Sequence, residues 1–201
     1  KQAAATYGLL PARSLPTRKL QSEPAQTGIR RVTVKAPAEL PYLMLAWRAP
    51  ALSDLDAKTP ASSQAYALQV LAAVLDGYDG ARISRSLVKE RKLAVSAGAG
   101  YDPISRGAQS LFMLEGVPSK GVSIAQLEAA LRGEISKIAT HGVTEAELRR
   151  IKAQLVASKV FARDSQMGQA MQIGGLEVLG LSWRDDDKIF EQLRSVSAAE
   201  V

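Results

Sequence analysis

The sequence has no cysteine and a single histidine, His141, in 201 residues. Without thiols it forms no disulfide staple and no thiolate metal site, although this alone fixes no compartment. A catalytic zinc takes about three protein ligands, usually His with a carboxylate, and one imidazole does not supply them. Long apolar runs are missing too. None approaches the ~20 residues of a membrane span, and the N-terminus lacks the basic, apolar, small-residue order of a signal peptide. No glycine cluster has phosphate-loop spacing with a following Lys-Ser/Thr. No Ser has a His partner in a recognisable triad arrangement, which removes nucleophilic hydrolysis.

What is present is a hydrophobic fraction of 46%, which over this length suits one domain with a full core, or one domain with a tail. The formal net charge is +6, and its location decides what it means. Residues 1–35 hold seven basic side chains (Lys1, Arg13, Arg18, Lys19, Arg30, Arg31 and Lys35) against one acid, Glu23. The remaining chain keeps 19 of the 26 basic and 19 of the 20 acidic residues and is neutral. A groove that tracks phosphates wants clustered cations with aromatics between them. The folded part offers neither, which argues against nucleic acid as a partner.

Residues 1–28 carry Pro11, Pro16 and Pro24 among Ser, Thr and Gln with little periodicity, the pattern of a linker or wrapping arm. From Arg30, Val32 and Val34 alternate with Thr33 and Lys35 as a strand. Tyr42 to Arg48 reads as a second strand with Leu43, Leu45 and Trp47 on one side. Thr59 and Pro60 make an N-cap and first-turn pair for a helix whose apolar face is Leu68, Leu71, Ala72 and Leu75. Asp76, Gly77, Asp79 and Gly80 stop it. A second short helix with Ile83 and Leu87 follows, and then Val95, Ala97, Ala99 and Tyr101 alternate with Ser96, Gly98 and Gly100 in strand period. Gln109 to Val117 gives another strand, hairpin-linked through Asp102, Pro103 and Gly107.

Ser123 with Gln126 predicts a capping box for a helix burying Leu127, Leu131, Ile135 and Ile138. Thr144 with Glu147 predicts a second box, for a helix with the stripe Leu148, Ile151, Leu155 and Phe161. Helical segments follow around Gln166 to Leu181 and Arg184 to Val196, and Ser197 with Glu200 looks like a capping box whose helix is cut away at Val201. With Lys1 in place of an initiating Met, the sequence reads as a piece of a longer protein. The order strand pair, helices, strand pair, helices predicts an α+β fold with helices layered on one face of a sheet.

Few residues are candidates for chemistry. His141 sits between one helix end and the cap of the next, where it serves as a charge partner for the helix C-terminus or is simply exposed. Asp185, Asp186 and Asp187 form the one acidic run, at a helix start that favours carboxylates. Gly98 and Gly100 leave one strand face bare. That face could admit a peptide, and close approach of a helix is the commoner use. Gly174, Gly175 and Gly180 read as places where helices pack tightly.

Three phrases carry a family resemblance. Leu71 to Ser96 runs as an apolar helix, a Gly-rich turn, Ala81-Arg82-Ile83, a helix end with Leu87, Glu90, Leu93 and Ala94, and a strand. This resembles the C-terminal domain of the pitrilysin/insulinase-type zinc peptidases, which include the mitochondrial processing peptidases. Gly142-Val143-Thr144-Glu145-Ala146-Glu147-Leu148 is similar to that family's "Gly-Val-Thr-Glu-x-Glu-Leu" helix start. The opening from Tyr7-Gly8 through Glu23-Pro24-Ala25-Gln26-Thr27-Gly28 to Arg31-Val32 resembles the lead-in to the same domain.

The resemblance implies a two-layer sandwich, mostly antiparallel sheet with helices on one face, over residues 29–201 and truncated at the C-terminal end. It also implies a split enzyme. In the family an N-terminal domain carries His-x-x-Glu-His plus a distal Glu, and two like halves close over an extended peptide. No catalytic, cofactor-binding or metal residue is expected in this chain. Zinc belongs to the missing N-terminal domain, and the fragment alone is expected to be inactive. Many C-terminal halves supply an Arg and a Tyr to the substrate. Those positions here are Val88 and Val95, so a sister subunit would have to supply that pair. Arg82 is expected to fix its turn by hydrogen bonding rather than touch substrate. The alternative is an inactive relative acting as scaffold or assembly partner. A third reading, a free-standing peptide-binding module, predicts affinity of the isolated fragment for peptide, and little is expected from half a clamshell. No membrane partner is implied, and bacterial members suggest a periplasmic address.

Overall fold

A computed structural model describes residues 2–11, 13–14, 24–52, 55–56, 58–104, 109–178 and 180–201. The chain divides into two units, Lys1–Pro37 and Ala38–Val201. In the first, helix α1 (Gln2–Thr6) runs into a 3-10 turn at Tyr7–Leu9 and buries no side chain. The alternation at Val32 and Val34 does not become a strand, and both are more than 80% exposed. A strand exists only by sharing a ladder, and the described residues of this unit provide no second one.

The second unit is built on three antiparallel strands, β1 (Leu43–Pro50), β2 (Ala94–Tyr101) and β3 (Gln109–Pro118), in the order β1-β3-β2. The predicted first strand pair is therefore a single strand. Leu45 faces Leu114 and Trp47 faces Phe112, while Ala99 also meets Leu114 from the other side. This register puts Leu43, Leu45, Ala49, Phe112 and Leu114 on one buried face. The hairpin joins β2 to β3 as predicted from Asp102 and Pro103, while Gly107 lies outside the described residues. A bulge between Ala94 and Ser96 leaves Val95 out of the ladder.

Two helices, α2 (Pro60–Asp76) and α3 (Ile124–His141), cover the buried face. The Thr59 hydroxyl caps α2 by accepting the Ser62 N–H at 3.2 Å. Burial runs all round α2, from Ala65, Tyr66 and Ala67 to Val70, Val74 and Leu75. The stripe expected at Leu68, Leu71, Ala72 and Leu75 is accordingly not the whole inner face, because Leu68 and Leu71 are only half-buried. The reason is that α2 lies between the sheet and two further helices, α4 (Glu145–Ala162) and α6 (Asp186–Ser195), so no face is left to solvent over its full length. In α3 the Ser123–Gln126 capping box forms with both of its bonds, at 3.2 and 2.8 Å. Leu127, Leu131 and Ile138 are buried as predicted, and Ile135 is half-buried.

Helix α4 buries Leu148 and Ile151, but Phe161 is 71% exposed, contrary to the stripe assigned to it. Helix α5 (Gln166–Val178) ends in a turn in which the Leu181 N–H reaches the Leu176 carbonyl at 3.0 Å around left-handed Gly180. A Cβ built on Gly174 or Gly175 meets nothing within 4 Å, so these glycines do not mark tight packing. The observed architecture is the α+β arrangement of helices on one side of an antiparallel sheet.

Candidate functional site

The sheet face opposite the helices carries exposed side chains along β1 and β3. Met44, Ala46 and Arg48 of β1 stand beside Leu111 and Glu115 of β3, all exposed, with Met113 half-buried between them. The strand alternation that buries Leu43, Leu45 and Leu114 leaves these residues outward. Across β3, Gly98 and Gly100 oppose Glu115 and Met113, so the β2 side of this face has little relief. Tyr42 donates its hydroxyl to Glu115, which raises the phenol above its ordinary value.

One of the two strand glycines lies under a close approach, and the approaching group is a side chain rather than helix backbone. A Cβ on Gly98 would lie 2.6 Å from the Asp76 carboxylate. That carboxylate accepts the Ala99 N–H at 3.2 Å at the β2 edge. Burial pushes the Asp76 carboxyl up, the Ala99 N–H opposes this, and nearby Glu115 adds to the rise. Gly100 meets open space.

The segment after α2 is a π-helical turn, Ser84–Glu90, in which the Arg91 N–H reaches the Ser86 carbonyl at 3.0 Å. Lys92 then takes a left-handed φ of 51° before β2 begins. Val88 lies on this turn, half-buried against the core, and Val95 is 59% exposed at the bulge. Neither hydrocarbon side chain offers a hydrogen bond or a charge.

Arg82 joins the two sequence phrases to each other. Its Nε donates to Glu147 Oε1 at 2.9 Å, and its Nη2 donates to Glu147 Oε2 at 2.6 Å and to the Gly142 carbonyl at 3.1 Å. Gly142 has a φ of +69°, which aims that carbonyl after the end of α3. The fork also explains why the predicted second capping box is only half made. Thr144 accepts the Glu147 N–H at 3.2 Å, but the Glu147 carboxylate is taken by Arg82 instead of turning back. The guanidinium holds the Glu147 carboxyl below its ordinary value, and the carboxylate raises Arg82. Beside this tie, buried Glu134 accepts from the Ser86 hydroxyl at 2.8 Å and from Lys137 at 2.7 Å.

The other candidate residues make contacts at helix ends. His141 Nδ1 lies 3.1 Å from the Lys137 carbonyl at the end of α3. Asp185 closes a capping box on Ser182, and Asp186 and Asp187 occupy the first turn of α6. They also clamp α4, since Lys159 reaches Asp186 at 2.8 Å and Asp187 at 3.2 Å, and Arg163 reaches Asp187 at 3.0 Å. The sequence pattern did not show these partners, because no local spacing connects α4 to α6. Among the described residues no three His, Asp or Glu side chains converge. Among them, too, no helix is long and apolar enough to cross a membrane.

The peptidase M16 inactive-domain family matches residues 1–155. The chain belongs to that family, the pitrilysin/insulinase type of metallopeptidase, as a C-terminal-type, non-zinc domain. No curated protein matches its sequence. Among solved structures, a protease from Helicobacter pylori superposes with a TM-score of 0.71 at 18% identity, over 83% of this chain and 38% of that one. The inactive peptidase domain from Bordetella parapertussis gives 0.66 at 15% identity, over 84% of each chain. A peptidase M16 inactive domain from Pseudomonas fluorescens gives 0.65 at 19% identity, over 82% of this chain and 36% of that one. At these identities the likeness shows the fold. The chain spans little more than a third of the Helicobacter and Pseudomonas chains.

Proposed function

We propose that this domain is the non-catalytic half of a zinc-dependent peptidase, enclosing peptide substrate against a zinc-bearing N-terminal domain. The observation that carries this reading is the open sheet face. Met44, Met113 and Leu111 give it an apolar surface with Arg48 and Glu115 as its charged members, on the side away from the packed helices α2 and α3. A wall of this kind excludes water and accepts varied side chains without doing chemistry. Zinc and its general base would lie on the partner domain, and no step of the reaction falls to this chain.

The test is a fluorogenic-peptide assay. The 201-residue chain is expected to hydrolyse nothing with or without added zinc, and turnover by it would overturn the reading. In the zinc-bearing protein that contains this domain, Met113→Glu is expected to lower kcat/KM about tenfold, equivalent to about 1.4 kcal/mol of transition-state stabilisation. Val88 and Val95, where substrate-contacting Arg and Tyr are expected, favour a second reading, that of a scaffold subunit. A polypeptide that lacks His-x-x-Glu-His upstream of Lys1 would support it. A zinc-bearing subunit would instead draw the Arg and Tyr from a sister subunit.

A further inference from the structure

A cavity of ≈ 410 Å³ lies between α3, the start of α4 and the π-helical turn, and every residue lining it belongs to the Ala38–Val201 unit. Four cations, Arg82, Arg85, Lys137 and Arg150, line it against three carboxylates. Arg82 is committed to Glu147, both of whose oxygens it holds. Arg85 reaches Glu90 only at 3.8 Å, with both side chains more than half exposed. Arg150 lies 5.6 Å over the Tyr78 ring and forms no ion pair among the described residues. The Ala146 N–H, in the first turn of α4, has no acceptor among them either. Spare guanidiniums beside the free N–H groups of a helix start favour an anion. One buried group adds a second demand. Glu134 is 3% exposed, and both of its donors, the Ser86 hydroxyl and Lys137, go to Oε1. Its Oε2 has no hydrogen-bond partner among the described residues. Glu134 adds to the rise of Arg82 that Glu147 causes, and Arg150 adds to the lowering of Glu147 that Arg82 causes, so these groups surround one space.

We propose that this cavity binds inorganic phosphate in a protonated form, with Arg85, Arg150 and the start of α4 taking its charged oxygens and the Glu134 carboxylate accepting its P–OH hydrogen. The excess of cations in the lining asks for an anion. An ionised carboxylate only accepts, so a ligand that completes the buried Oε2 brings its own proton. Sulfate meets the first requirement alone, because it carries no proton at neutral pH. Inorganic phosphate meets both, since it keeps at least one. A phosphate monoester loses its P–OH hydrogen with a pKa of about 6, and its bare oxygens are then repelled by the buried carboxylate. A metal cation fits poorly, because no three carboxylate or imidazole ligands converge among the described residues and the guanidiniums oppose it. None of these residues lies on the sheet face, so the site is independent of the enclosure reading.

The experiment titrates the 201-residue chain by calorimetry with sodium phosphate, sodium sulfate and phenyl phosphate, each at neutral pH and matched ionic strength. The expected result is saturable binding of phosphate, with sulfate and phenyl phosphate at least about tenfold weaker. Glu134→Gln, judged folded by its circular dichroism, puts an amide that donates as well as accepts in place of the carboxylate and should remove the preference for phosphate over sulfate. Arg150→Ala, at an exposed position that the fold does not need, should weaken phosphate about tenfold. Should Glu134→Gln fail to fold, the anion preference of the unaltered chain and the Arg150→Ala loss decide. Equal affinity for phosphate and sulfate overturns the proposal and leaves only a general attraction of anions to the cations. No saturable phosphate binding, an Arg150→Ala chain that binds as before, or a folded Glu134→Gln chain that keeps the preference also overturns it. Phenyl phosphate binding as tightly as phosphate overturns the assignment to the free ion.

Discussion

Helices α3 and α5 carry comparable apolar content and meet different fates. Helix α3 buries Leu127, Ala130, Leu131 and Ile138 under the sheet. Helix α5 buries Leu176 alone, while Met167, Met171, Ile173 and Val178 are between 44% and 73% exposed. The difference lies in what surrounds each helix. Helix α3 starts at a complete capping box and lies against β1 and β3, whereas α5 holds two interior glycines whose Cβ positions meet open space. Amphipathic spacing marks which residues can be covered, and only a neighbouring element covers them.

The largest way to sharpen this comparison is to cut one side chain from each helix. Leu131→Ala should cost about 2–5 kcal/mol, and Met171→Ala should stay within about 0.5 kcal/mol, both read from urea unfolding. Comparable losses at the two sites would mean that α5 is covered in solution.

Next in size is the Arg82–Glu147 tie, which anchors the start of α4 to the turn after α2. Its side chains are 17% and 14% exposed, so Arg82→Ala should cost about 2–4 kcal/mol by leaving a largely buried carboxylate unpaired. The tie also has a pH signature. The folded Glu147 carboxyl lies below its ordinary value of 4.5. Its contribution is therefore complete above that value and is lost as pH falls through the depressed folded one. Glu147→Gln should lower Tm at neutral pH and flatten its decline on the acid side. An unchanged acid limb would show that the pair contributes nothing. The smallest effect is Gly174→Ala, which should stabilise α5 by about 0.5–1 kcal/mol, because the added methyl meets open space and the unfolded chain loses freedom. A destabilisation would reveal a close neighbour at that face.

Much of the fold was legible because its signals are local. The Thr59 and Ser123 caps, the hairpin from Asp102 and Pro103, and the burial of Leu127, Leu131 and Ile138 all follow from residues a few positions apart. The misreadings involve distant partners. Val32 and Val34 have strand spacing and no ladder, Phe161 continues a helical stripe beyond the cover available, and Glu147 leaves its capping box for Arg82. The candidate wall was less legible. Composition gives one His and no Cys, but the exposed face depends on which alternation of β1 and β3 the helices cover.

By itself the sequence determined the succession of helices and strands, their caps and turns, and the family phrases around Arg82 and Glu147, since propensity, capping and periodicity act within a turn or two of chain. Tertiary structure alone decided that these phrases bond to each other. It also decided that α2 is enclosed all round, and which alternation of β1 and β3 the helices cover. Each of those outcomes depends on which surfaces meet across the fold, and burial and pairing are properties of neighbours in space.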